Sequence, residues 1–237
     1  MKAASPSVGL VGSAGRAKVG IKEGSMIRTL LACLLAFSGH SVLAQTAPAP
    51  APTPGPSPAV ALPRVALVTS DGTITVEVDN VRAPITGNNF LRYVDQKRLD
   101  GVTFYRVVKV IDHFGFVQFG VQNARAKVLP PIKHEPTTQT GIRHLDFTLS
   151  QPRNKPGSAQ GEFTIMLGDQ TPSMDADPSK PGDNLGYAAF AHVVDGKDVV
   201  VKIFDAPNSP TATLSGVFKG EIPAAPVKIL SARRVKP

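Results

Sequence analysis

Short apolar runs broken by turn residues constrain this chain more than any other feature. In "RVALVTSDGTITVEVD", residues 64–79, two such runs are split by Asp71-Gly72. Asp-Gly between apolar stretches favours a two-residue hairpin, whose central residues need positive φ. In the second run Ile74, Val76 and Val78 alternate with Thr73, Thr75 and Glu77. A period of two marks a strand with one buried face. Further strand-length runs fall at 102–108, 114–119, 146–150, 162–167 and 187–194, and in "PVKILSARRV" near the C-terminus. Two segments have helical character instead. "APITGNNFLRYVDQKRL", 83–99, places Pro84 in a first turn and Phe90 and Val94 on one face. "KDVVVKIFD", 197–205, suits a shorter helix. Strands and helices do not alternate, so no parallel βαβ sheet is expected. The pattern predicts a mainly-β domain, a closed antiparallel barrel capped by helices.

That domain is expected to span 64–237. Before it, "QTAPAPAPTPGPSPAVALP", residues 45–63, is an Ala/Pro linker whose prolines favour extended geometry. Residues 26–44 have the order of a secretory signal. Arg28 precedes an apolar run from Leu30 to Phe37, and Val42-Leu43-Ala44 stands before Gln45. The run is too short for a membrane span. Residues 1–25 are then an upstream extension, and Cys33 belongs to the signal. The exported chain has no other cysteine, so no disulfide is expected. A periplasmic or secreted monomer follows, with no stable membrane insertion after signal cleavage.

The net charge of +8 invites a nucleic-acid partner, but its distribution argues against one. Residues 1–44 hold Lys2, Arg16, Lys18, Lys22 and Arg28 against Glu23, leaving 21 basic and 17 acidic residues elsewhere. No basic run with interleaved aromatics appears. His113, His134, His144 and His192 show no metal-ligand spacing and are expected in loops or at the surface. Asp175 and Asp177 open a calcium-like loop, but Gly186 stands where a glutamate ligand belongs. Neither a phosphate loop nor a Ser-His-Asp pattern is apparent. The chain is expected to need no metal or cofactor.

One apolar region carries polar residues out of place. In "TFYRVVKVIDHFGFVQFG", residues 103–120, Arg106 sits among Phe104, Tyr105, Val107 and Val108, and Gln118 lies between Val117 and Phe119. Desolvating a donor costs free energy, so such side chains are seldom buried without a partner.

The order of "DGTITVEV", "APITGNNFLRYVD", "VTFYRVV", "GFVQFG", "EFTIMLGD" and "GYAAFAHVVDGKDVV" resembles the cyclophilin family of peptidyl-prolyl isomerases over most of 64–235. The resemblance implies an eight-stranded antiparallel barrel with two capping helices. It also implies a role for the displaced polar pair. Arg106 matches the family's catalytic arginine, and Gln118 matches the glutamine beside it. Both would lie on the outer face of the barrel, in a shallow apolar groove. Phe114, Phe116, Phe163 and Tyr187 are the candidate pocket residues, with Thr164 and Met174. The implied substrates are proline-containing unfolded or extended polypeptides, and the implied role is folding of exported proteins.

The chemistry suits these residue types. Amide resonance puts a barrier of roughly 18–20 kcal/mol on rotation about X–Pro. A catalyst must bind the twisted amide better than either planar form. A guanidinium can donate to the proline nitrogen as it loses conjugation, and a glutamine can orient the arginine or the carbonyl. The chain departs from the family at several points. The apolar residue usual three before the glutamine falls on Gly115, between Phe114 and Phe116. The second of two family phenylalanines, which floors the proline pocket, is Thr164 here. Tyr187 replaces a pocket histidine, and the peptide-contacting segment is Ser150-Gln151-Pro152-Arg153. These departures leave a second class open, a peptide-binding module of the same fold with little turnover.

Overall fold

The computed structural model describes residues 61–122 and 124–236. The expected extension, signal and most of the linker lie outside the described residues. The elements run β1 (Arg64–Thr69), β2 (Gly72–Val78), α1 (Pro84–Asp95), β3 (Phe104–Ile111), β4 (Phe114–Gly120) and α2 (Thr137–Thr140). They continue with β5 (Thr148–Gln151), β6 (Glu162–Leu167), α3 (Thr171–Met174), β7 (Ala188–Asp195), α4 (Lys197–Asp205) and β8 (Ile229–Val235). The eight strands pair antiparallel in one sheet, ordered β3-β4-β6-β5-β7-β2-β1-β8, that curls into a half-barrel.

Alternation along each strand builds the core. Ile74, Val76 and Val78 are fully buried, as their spacing predicts. Phe163 of β6 sits at the centre, with ring centroids 5.0 Å from Phe90 and 5.7 Å from Phe119. Edge-to-face and tilted rings of this kind add to the area they bury. The strands at the two ends of the sheet order meet near their first residues. Thr103 bridges Lys228, and the Phe104 N–H donates to the Val227 carbonyl at 2.9 Å.

Helix α1 packs against β7 and β8, and α4 against β2, β3 and β4. Pro84 opens α1, and no side chain of the adjoining turn caps it. Glu135 does so from outside. Its carboxylate, fully buried, accepts from the Ile85 N–H at 3.0 Å, the Thr86 N–H at 2.6 Å and the Thr86 hydroxyl at 2.7 Å. The free amides and positive dipole end of the helix are what let a buried carboxylate reside there.

Candidate active site

A β-bulge places the arginine. Phe104 pairs with Phe119, but the next pair is Arg106 with Gln118, so Tyr105 is an extra residue on β3. Phe104 and Val107 both enter the core, while Tyr105 and Arg106 line a groove on the outer face. Bulges re-aim side chains in this way. On the neighbouring strands Phe116, Gln118, Thr164, Met166 and Ser150 line the same groove, which has a volume of about 620 Å³.

Arg106 is held by two hydrogen bonds and two aromatic rings. Its Nη1 donates to Gln118 Oε1 at 3.2 Å, and its Nε donates to Glu221 Oε2 at 2.6 Å. These bonds leave Nη2 for a ligand. The guanidinium carbon lies 5.2 Å from the Phe116 ring centroid and 4.0 Å from that of Phe218. Beside it, the Tyr105 hydroxyl donates to Glu162 Oε2 at 2.7 Å. Burial, and then the Glu162 carboxylate, push the Tyr105 phenol far above its ordinary pKa, so it remains a donor.

Most of the expected site residues come together. Arg106, Gln118, Phe116, Thr164, Met174 and Tyr187 share the groove. Phe163 does not. Glu162 and Thr164 face the groove, so the residue between them points inward, and Phe163 is fully buried among Phe90, Tyr93, Phe119 and Phe190. Phe114 is absent from the groove as well. It opens β4 at the hairpin opposite Ile111 and lies close to Gly168. Gly115 has φ 155°, and a Cβ there would strike the Val108 carbonyl oxygen. The backbone has no room for a side chain at that position, and Phe116 supplies the apolar wall.

His134 and His144 lie in loops, as expected, but both are buried, and one belongs to a relay. His144, fully buried, has Nδ1 2.6 Å from Asp175 Oδ1 and Nε2 2.7 Å from Ser150 Oγ. The carboxylate fixes Nδ1 as a donor, so in the neutral ring the Ser150 hydroxyl donates to Nε2. Burial pushes the Asp175 carboxyl up, but hydrogen bonds from His144 and Arg143 outweigh it and hold the group below its ordinary value. These three residues have Ser-His-Asp order, although no such pattern is visible along the chain. Ser150 is only 1% exposed, so the relay braces the groove wall rather than presenting a nucleophile. Thr164 joins it by donating from Oγ1 to the Ser150 carbonyl at 3.2 Å. Arg153 steadies the wall near Tyr187, donating from Nη2 to Asp183 at 2.9 Å and from Nε to the Gly186 carbonyl at 3.0 Å.

Residues 64–234 match the family model of cyclophilin type peptidyl-prolyl cis-trans isomerases. The chain belongs to the cyclophilin family. A peptidyl-prolyl cis-trans isomerase of Streptomyces antibioticus is 34% identical over 174 residues, spanning 71% of this chain and 96% of the relative. One from Acinetobacter baylyi is 34% identical over 172 residues, spanning 71% and 84%. The crystal structure of a Cryptosporidium parvum cyclophilin determined in the presence of the dipeptide Ala-Pro shares the fold. Its TM-score is 0.56 at 17% identity, covering 73% of this chain and 99% of that one. Within this cyclophilin the residues that sequence reasoning missed are Glu221, Phe218 and the Asp175–His144 pair. Glu221 and Phe218 come from the segment between α4 and β8, which carries no strand or helix pattern to place it beside β3.

Proposed function

We propose that the groove binds an extended X–Pro segment and isomerises it through Arg106 and Gln118. The Arg106–Gln118 hydrogen bond, beside the apolar side chains of Phe116 and Met166 in the same groove, carries this reading, because it fixes a cationic donor where a proline ring can be held. In the twisted amide the proline nitrogen becomes a better acceptor, and the Arg106 guanidinium donates to it. The planar forms offer no such acceptor, so the bond is made mainly in the transition state. Gln118 orients the guanidinium, while Phe116, Met166, Met174 and Tyr187 enclose the ring. No covalent intermediate forms, so these side chains suffice.

Two contexts accompany the activity. The signal-like residues 26–44 favour an exported protein, periplasmic or secreted, acting on unfolded clients. The contacts between 101–104 and 227–229 favour closure of the sheet into a full barrel, with α1 and α4 as its caps. The test of the isomerase site is exchange NMR on an Ala-Pro peptide with purified protein. Cis–trans exchange accelerated by wild type and slowed by Gln118→Ala supports it, whereas equal exchange in both places the chemistry elsewhere.

A further inference from the structure

Thr164 leaves the groove floor without an aromatic, yet the groove is not short of one. Phe218 reaches it from the segment 206–228, together with Leu214. We propose that Phe218 and Leu214 form a substrate-binding wall that selects an apolar side chain next to the proline. This rests on the isomerase reading of the site.

The segment is tied to β3 rather than draped over it. Val107 N–H donates to the Glu221 carbonyl at 2.7 Å, and Asn208 Nδ2 donates to the carbonyls of Val107 and Gly220, each at 3.0 Å. These bonds occupy the outer edge of a strand that ends the sheet order, an edge that proteins cover. Within the segment, Leu214 and Val217 pair through both backbone groups, at 2.9 and 3.0 Å. Ser215 and Gly216 between them have φ 51° and 80°, the two positive values that a tight hairpin turn demands. The turn leaves Val217 half exposed while Leu214 lines the groove.

Phe218 itself has φ 63°, a conformation that is unfavourable for a bulky residue and persists only where its surroundings impose it. Its ring lies 4.0 Å from the Arg106 guanidinium carbon, closer than Phe116 at 5.2 Å. The reacting nitrogen of the substrate must approach that guanidinium. A side chain on a residue bonded to the proline therefore comes within reach of Phe218 and Leu214. Apolar side chains gain from burying against them, and acidic or absent ones do not.

The test measures kcat and KM on tetrapeptides whose residue before or after the proline is Gly, Glu, Leu or Phe. Wild type, Phe218→Ala, Phe218→Leu and Leu214→Ala are compared, with circular dichroism and thermal melting to verify folding. Wild type is expected to prefer Leu and Phe. Phe218→Ala should raise KM for those two peptides about fivefold relative to the Gly peptide, while any change in kcat transmitted through Arg106 should be the same for every peptide. Phe218→Leu should keep part of the preference. An unchanged KM pattern would overturn the proposal. So would faster turnover of every peptide by Phe218→Ala, which would make the segment a cover over the site. Absence of turnover in wild type strikes the isomerase reading instead, and peptide titration by NMR then still shows whether Phe218 selects apolar neighbours.

Discussion

Glu221 and Arg106, 115 residues apart, form an ion pair at 2.6 Å on the rim of the groove, with side chains 33% and 21% exposed. A partly exposed pair contributes little to stability, but it fixes the orientation of the guanidinium, on which the proposed reaction depends. Glu221→Gln should leave the melting temperature nearly unchanged. It should lower kcat by about three- to tenfold with less change in KM, since misaligned donors are felt mainly in the transition state. Steady-state kinetics beside a melting curve separate the two effects. A large fall in Tm with normal kcat would make Glu221 a structural residue only.

Phe163 and Phe116 should behave as opposites. Phe163→Ala empties a site packed by four aromatic side chains and should cost about 3–5 kcal/mol of stability. Phe116→Ala removes a partly buried groove wall. It should cost well under half as much stability while weakening peptide binding. Urea unfolding of both variants, with peptide titration of the second, checks the contrast.

Thr164→Phe restores an aromatic on the groove side of β6. The ring should lower KM for a proline peptide by about fivefold, equivalent to about 1 kcal/mol of added apolar burial. The lost hydrogen bond to the Ser150 carbonyl should lower stability by roughly 1 kcal/mol. A KM unchanged in a folded variant would show that the floor is already filled from elsewhere.

His134 should give the protein a stability slope in mild acid. Burial holds its pKa below the ordinary value of about 6.5, although its bond to the Leu185 carbonyl and the nearby Asp183 and Glu135 oppose this and Arg153 assists. The unfolded chain therefore takes up the proton more readily. Stability from this group is fully present above about pH 6.5 and is lost as pH falls through the folded value. Urea midpoints at pH 7.5 and 5.5 should differ more for wild type than for His134→Gln. Equal differences would remove His134 as the cause.

The strands were legible because each has a strict period of two or a bounded apolar run. Ile74, Val76 and Val78 predicted their own burial, and 197–205 coincides with α4. Arg106 and Gln118 stood out because long polar side chains interrupt apolar strands. Phe163 was misplaced because β6 alternates, and its neighbour Thr164 holds the groove position. Phe114 was misplaced because the collision at Gly115 is visible only once β3 and β4 are paired. His144, Asp175 and Ser150 could not be grouped from the chain, since 25 residues separate Ser150 from Asp175 and only the fold brings them together. The segment 206–228 has no periodicity at all. Its turn residues predict loops but not that Phe218 and Glu221 meet Arg106.

The most direct test of the account is prolyl isomerisation of an X–Pro tetrapeptide by wild type and by Arg106→Ala. Wild type should accelerate exchange, and the variant, equally well folded, should lose at least about a hundredfold in kcat/KM. A variant that keeps wild-type turnover would contradict the assignment of Arg106 as the donor to the twisted amide.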